Sequence, residues 1–190
     1  MNFTQVVAEV IATLKRPDKI LAARREVNAA VTSFSANQNY ARDVHEQFLA
    51  IDPVEYTQIL LFTDLARYRA MKYMKRTGTK NYLSKLAASE LGTRCDLVDK
   101  YYVVGAGIKI SMTVKAAGLD IAYYQYPPYL TDAAPDYWML ESGWSMIYNR
   151  ALAKLFADIG DDASARTHEA YARADYVIFD SAADKDLGYA

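Results

Sequence analysis

The sequence predicts an α+β fold: a helical bundle built from N- and C-terminal helices, with an inserted antiparallel β-rich region. Helical spacing of apolar residues is confined to the two ends of the chain, whereas runs of β-forming residues bounded by turns fill the middle. With 190 residues, 52% apolar and 24% charged, the chain can bury a sizeable core. We expect the bundle from residues 1–39 and 127–183, the β-rich subdomain from 40–126, and a flexible C-terminal tail at 184–190.

The N-terminal helices are predicted by apolar spacing and by a proline. In residues 3–14 the apolar side chains recur every three or four positions, which is typical of a short amphipathic helix. Pro17 ends this helix and suits the first turn of the next, where its missing N–H costs little. The second helix is expected to reach about Ala36. Neither helix can bury its apolar face alone, so both need partners.

The middle of the chain predicts strands. The candidate strands are residues 41–50, 56–63, 66–75, 101–104, 107–112 and 117–126. Gly105 and Gly107 flank one alanine between two runs of β-forming residues, which predicts a hairpin. Residues 80–100 are ambiguous, because they fit either a short helix at 87–92 or a loop.

The last strand is expected to lead into a helix. Pro127 and Pro128 end the strand, because neither can donate to a ladder. Thr131 or Asp132 is the expected N-cap of a helix, and Pro135 suits its first turn.

Two long helices are predicted near the C-terminus, at residues 135–159 and 162–182. The first has one apolar stripe and ends at Gly160, which favours the left-handed conformation of a helix end. Both helices need a surface against which to bury apolar faces, as the two N-terminal helices do. A four-helix arrangement made from both ends of the chain meets these needs together.

This order of residues resembles the head-to-tail adaptor (connector, or head-completion) proteins of tailed bacteriophages. In that family a tyrosine-rich strand ends at two prolines and leads through a Thr-Asp turn to a helix that carries tryptophan. The matching residues here are Tyr123, Tyr124, Pro127, Pro128, Thr131, Asp132 and Trp138. The likeness covers about residues 67–183, and the chain up to residue 66 departs from the family pattern. It implies that Trp138, Tyr124, Pro127 and Pro128 belong to the structural core.

The resemblance implies a structural role in a short-tailed phage neck. Such adaptors dock on the portal protein, form a ring, commonly of twelve copies, and provide the platform for a tail nozzle or tube protein. The ring helps to retain packaged DNA, which passes through the lumen without sequence-specific binding. The C-terminal segment of the family docks on the portal, so Leu187 and Tyr189 become candidate anchors. The protein would be made in the host cytoplasm and reside in the virion, with no membrane partner.

The charge pattern suggests a subunit interface. Residues 67–80 contain six basic residues and no acidic one: Arg67, Arg69, Lys72, Lys75, Arg76 and Lys80. Residues 158–186 contain eight acidic and three basic residues, and Asp161 and Asp162 open the last helix. Two solvated faces would explain this pattern, and so would a head-to-tail contact between a basic sheet edge and an acidic helix. The basic stretch would alternatively line a DNA channel.

The candidate catalytic and cofactor motifs lack the residues that they require at the required spacing. We therefore expect no enzyme, no cofactor and no metal. His45 and His168 are each followed by Glu, but neither has the second His of a zinc-protease helix. Gly105 and Gly107 lack the third glycine of a dinucleotide loop. Cys95 is the single cysteine, which excludes an intramolecular disulfide. The alternative to an adaptor is a small non-enzymatic protein-binding module, such as a host-factor binder acting as monomer or dimer.

Overall fold

A computed structural model of the chain describes residues 1–51, 57–87, 99–112 and 118–183. These residues form two compact units. The first combines residues 1–42 with 126–183, and the second contains the described residues between 43 and 125. The predicted mixture of helices at both ends and antiparallel sheets in the middle is confirmed.

The first unit contains the helices. They are α1 (Phe3–Leu14), α2 (Ile20–Asn37), α3 (Trp138–Ser142), α4 (Trp144–Asp158) and α5 (Asp162–Ala182). α1 begins with a capping box, in which the Asn2 side chain accepts from the Gln5 amide and the Gln5 side chain accepts from the Asn2 amide. Pro17 opens a short 3₁₀ turn that leads into α2. In the described part of the chain, no helix has the length and apolar character needed to cross a membrane.

The prediction of one helix over residues 135–159 is wrong in two respects: the helix begins later, and it is not continuous. Thr131 and Ala134 exchange backbone hydrogen bonds in a turn, and the helical conformation begins only at Trp138. The helix then breaks at Gly143 and resumes as α4. A Cβ at Gly143 would lie 2.8 Å from the Phe179 ring, so the absence of a side chain at this position allows α5 to approach closely.

The apolar faces of α1, α2, α4 and α5 meet in one core. Its fully or nearly fully buried members include Val6, Val10, Val27, Val31, Ile147, Leu152 and Ala172. The helices from the two ends of the chain therefore bury their apolar faces against one another, as their spacing required.

A buried asparagine fastens the segment before α3 to α2. The Asn28 side chain accepts from the Leu130 amide at 2.7 Å and donates to the Leu130 carbonyl at 3.1 Å. Asn28 is 6% exposed, and Leu130 is 1% exposed. The amide side chain therefore satisfies both backbone groups of a buried residue that lies outside regular structure.

The second unit contains two sheets. Its strands are β1 (Val44–Ala50), β2 (Thr57–Leu61), β3 (Tyr68–Arg76), β4 (Ser84–Lys85), β5 (Lys100–Val104), β6 (Gly107–Ser111) and β7 (Gly118–Gln125). One sheet has the order β1-β7-β3 and the other β2-β6-β5-β4; of their pairings, β4–β5 is parallel and the rest antiparallel. The six candidate strands are found to within three residues at either end, and the predicted hairpin joins β5 to β6. The short helix considered at residues 87–92, within the ambiguous stretch 80–100, falls largely on residues 88–98, outside the described residues.

We predict that Asn28→Ala lowers the free energy of unfolding by about 2–4 kcal/mol. The change removes three hydrogen bonds, two of them to Leu130 and one to the Arg24 carbonyl, and leaves a buried N–H and a buried C=O of Leu130 without their partner. The matched control is Asn37→Ala at the exposed end of α2, expected to cost less than about 0.5 kcal/mol. Urea unfolding of both variants measures the difference, and equal losses would exclude a special role for Asn28.

Candidate interaction surfaces

The basic stretch is largely balanced by acids of its own unit. Three of its side chains form ion pairs with aspartates: Arg69 with Asp43 at 3.9 Å, Lys75 with Asp120 at 3.8 Å, and Arg76 with Asp99 at 3.3 Å. Arg67 donates to Gln125 at 2.8 Å. Lys72 is half-buried and Lys80 is exposed. The stretch is therefore less basic, as a surface, than its sequence suggests.

Arg69 lies inside the second unit. Its side chain is 8% exposed, and its guanidinium lies over the Tyr124 ring, 5.6 Å from the centroid. The cation–π contact and the nearby Asp43 carboxylate compensate for the burial of this charge. The burial of Arg69 argues against direct contact with a neighbouring subunit.

The two acidic residues at the start of α5 stabilise that helix. Asp161 is the N-cap: its carboxylate accepts from the Ser164 amide at 3.0 Å and from the Ser164 hydroxyl at 2.7 Å. These hydrogen bonds hold the pKa of Asp161 below its usual value. Asp162 is exposed in the first turn, where a negative charge complements the helix dipole.

Of the four expected core residues, one is fully in a core. Tyr124 is 3% exposed in β7. Trp138 is half-buried; it stacks on Phe179 with ring centroids 5.8 Å apart. Pro127 and Pro128 are half-buried in the segment that follows β7. The prolines therefore end the strand, as expected, without filling the interior.

A polar seam joins α4 to α5, and sequence reasoning did not identify it. Ser145 and Asn149 both donate to the Asp175 carboxylate, at 2.5 and 3.1 Å. The His168 ring nitrogen Nδ1 lies 2.9 Å from the Asn149 side-chain oxygen. A signal did exist: Ser145 and Asn149 are four residues apart, and His168 and Asp175 are seven apart, so each pair lies on one helix face.

The seam does not contain a serine–histidine catalytic pair. Such a pair needs the imidazole within hydrogen-bond reach of the serine hydroxyl. Ser145 instead donates to Asp175, while His168 is bound to the side chain of Asn149 and stacks on Phe156 at 5.4 Å. The seam therefore acts as a set of hydrogen bonds that align two helices.

The outer face of α5 is apolar and exposed. We use this name for Ala170, Tyr171, Ala174, Val177 and Ile178, which fall within one third of the helix circumference. Val177 and Ile178 are each 67% exposed and Tyr171 is 55% exposed. The opposite face carries the core residues Ala172 and Phe179. The helix thus has two apolar faces, and α4 covers the inner one.

A cleft opens beside the aromatic cluster of the first unit. It has a volume of about 450 Å³ and is lined by residues that include Arg42, Trp138, Asp175 and Ile178. Arg42 lies over the Trp138 ring at 5.7 Å and pairs with Glu141 at 3.3 Å. Ala183, which follows α5, also lines this cleft.

No family model and no curated protein matches the sequence. Within residues 1–51, 57–87, 99–112 and 118–183, no three His, Cys, Asp or Glu side chains are grouped as metal ligands would be. Leu187, Tyr189 and Cys95 lie outside the described residues. The surfaces described above therefore carry the functional argument.

We predict that acidification weakens the first unit through His168. Burial lowers the pKa of His168, so the unfolded chain takes up this proton more readily than the folded chain. The stability that the neutral ring contributes is complete above the ordinary value of about 6.5 and is lost as the pH falls through the lower folded value.

His168→Gln should therefore flatten the fall in unfolding free energy between about pH 7 and pH 5. The matched control is Thr167→Gln, an exposed neighbour in α5 whose side chain does not titrate, which should keep the wild-type slope. Urea titrations across this range provide the measurement. An unchanged slope in His168→Gln would show that the seam does not control the pH response.

Proposed function

We propose that this protein is a structural adaptor of a tailed-phage neck, which docks on the portal, forms a ring and provides the platform for tail attachment. The observation that carries an assembly role is the outer face of α5: an apolar surface on a helix whose other face is already packed. Exposed apolar surface of this kind is typical of a protein–protein contact. The phage neck in particular is inferred from the resemblance over residues 67–183.

The residues of the resemblance support the proposal through the contacts that they make. After β7 the chain passes Pro127 and Pro128 and reaches a turn that contains Asp132. The Asp132 carboxylate accepts from the Thr4 hydroxyl at 3.1 Å and pairs with Arg24. The Thr-Asp turn therefore ties the returning chain to α1 and α2, which is a reason for such a motif to precede the C-terminal helices.

The subunit interface that we propose is apolar at its centre. The outer face of α5 supplies the apolar surface, and Arg166 and Arg173 lie along one side of it. Such a core with a polar rim is the usual composition of a subunit contact. Of the residues in the charge-based hypothesis, Lys80 and Asp162 are exposed, and in this proposal they lie at the rim of a head-to-tail ring contact. In this proposal the lumen passes DNA without sequence-specific contacts.

The alternative is a non-enzymatic binding module acting as a monomer or dimer. The outer face of α5 favours this alternative to the same degree, because a helix face can also pair with its own copy about a two-fold axis. The two proposals differ in stoichiometry. A ring contact adds copies up to the number of sites on the portal, whereas a two-fold contact stops at two.

We expect mass photometry to detect capture of the protein by a purified portal ring, at a multiple near the copy number of that ring. The double variant Val177→Glu/Ile178→Glu should reduce the number of bound copies several-fold, because two charges would enter an apolar contact. Leu21→Glu on α2 is the matched control, since Leu21 is also an exposed apolar helix residue, at 78%. Equal losses in both variants, or no capture of the wild type, would contradict the adaptor proposal.

Deletion of residues 184–190 should abolish capture by the portal, if Leu187 and Tyr189 are its anchors. The double variant Leu187→Ala/Tyr189→Ala should reproduce most of this loss, because anchors of this kind carry a large share of binding energy. Asp184→Ala/Asp186→Ala in the same tail is the control and should retain capture. If the truncated protein binds the portal as the full chain does, the docking contact lies elsewhere.

A further inference from the structure

A pocket opens between α2 and α5, beside the outer face of α5. It has a volume of about 370 Å³, and its lining includes Phe34 of α2, Arg150 of α4, and Arg173 and Tyr176 of α5. The Phe34 and Tyr176 rings stack there with their centroids 5.2 Å apart. Val177 lines the pocket and also belongs to the outer face. A chain that covers the outer face therefore meets this pocket at its edge.

The pocket carries a net positive charge, because its lining contains two arginines and one acidic residue. Arg150 donates to one oxygen of Glu169, and the Nε atom of Arg173 donates to the other oxygen at 3.2 Å. One carboxylate is therefore shared by two guanidinium groups. The described contacts of Arg173 use only Nε, and its side chain is 79% exposed. The terminal nitrogens of Arg173 can therefore bind a second carboxylate without displacing Glu169.

Asp158 is an acidic residue that the contacts of its own unit do not explain. It is the last residue of α4, and it is exposed. The helix dipole disfavours a negative charge at this end of a helix. Within residues 1–51, 57–87, 99–112 and 118–183, its side chain forms no ion pair and no hydrogen bond. A contact outside its own copy would account for a carboxylate at this position.

The turn that joins α4 to α5 combines apolar and acidic groups. Ile159 is 39% exposed, and residues 158–162 contain three acidic residues and no basic one. A Cβ at Gly160 would meet no atom within 4 Å, so the space around the turn is open. The turn therefore complements the outer face of α5 and the basic pocket beside it. Ile159 can pack on the apolar surface while Asp158 enters the pocket.

We propose that the α4–α5 turn of one copy, residues 158–162, docks on the outer face of α5 in the next copy, with the Asp158 carboxylate bound by Arg173. Such a contact joins two different surfaces, so it is head-to-tail and can close into a ring. The proposal rests on the subunit interface proposed above, and it names the surface that covers the outer face. It needs neither the portal nor the tail.

Sedimentation velocity of the full-length protein at low ionic strength tests the contact. We expect the wild type to associate reversibly below about 1 mM. Asp158→Arg and Arg173→Asp should each weaken this association about three- to tenfold, because each brings two like charges together. The double variant Asp158→Arg/Arg173→Asp should recover the wild-type association to within about twofold, since it exchanges the two charges of one pair.

Two control variants change the same charges elsewhere. Glu9→Arg on α1 and Lys85→Asp on β4 are exposed positions outside the turn and the pocket, and both should leave association unchanged. Thermal melts separate folding from association. Asp158→Arg should keep or raise the melting temperature, because the helix dipole favours a positive charge at the end of α4. A weaker association of this variant therefore reports the contact rather than a loss of folded protein.

Three results would overturn the proposal: no association of the wild type up to about 1 mM, equal losses in the control variants, or no recovery in the double variant. Wild-type association of Asp158→Arg would overturn it as well, and would indicate that two outer faces pair with each other. The neck assignment is judged separately by portal capture. Self-association without portal capture would retain this contact and remove the neck, whereas capture without self-association would do the reverse.

Discussion

The first unit depends on one constraint: two helices at the start of the chain and two at its end can bury their apolar faces only against each other. The chain must therefore return to α1 and α2 after completing β7, through a segment with little regular structure. Asn28 satisfies both backbone groups of Leu130, and Asp132 contacts Thr4 and Arg24. These side-chain contacts take the place of a helix or sheet ladder in fastening the returning chain.

Sequence was sufficient where neighbouring residues decide the structure. The apolar spacing of residues 3–14 was enough to predict α1, and the two prolines after β7 end a strand by their own chemistry. It was not sufficient at Gly143, where the helix breaks and the ring of Phe179, far along the chain, packs against the glycine. A local pattern contains no information about such a contact, so the prediction of one continuous helix failed there.

The same distinction explains the interaction surfaces. The six basic residues of the stretch were recognisable from sequence. Three of them pair with aspartates, Asp43, Asp99 and Asp120, that come close only through sheet pairing. Charge counted along the chain therefore overstated charge at the surface. The outer face of α5 was missed for a related reason: a helix with apolar residues on two faces shows no single stripe, and only the packing of α4 distinguishes inside from outside.

Two apolar faces create an ambiguity that the polar seam resolves. Apolar packing alone would let α5 bind α4 through either face, since burial energy is not directional. Rotating α5 would remove Asp175 from the Ser145 hydroxyl and His168 from Asn149, and would leave Ser145 and Asn149 facing apolar side chains. The seam therefore favours the inner face, because these polar groups would lose their hydrogen bonds in the rotated arrangement. The outer face of α5 is then exposed to solvent, where another chain could contact it.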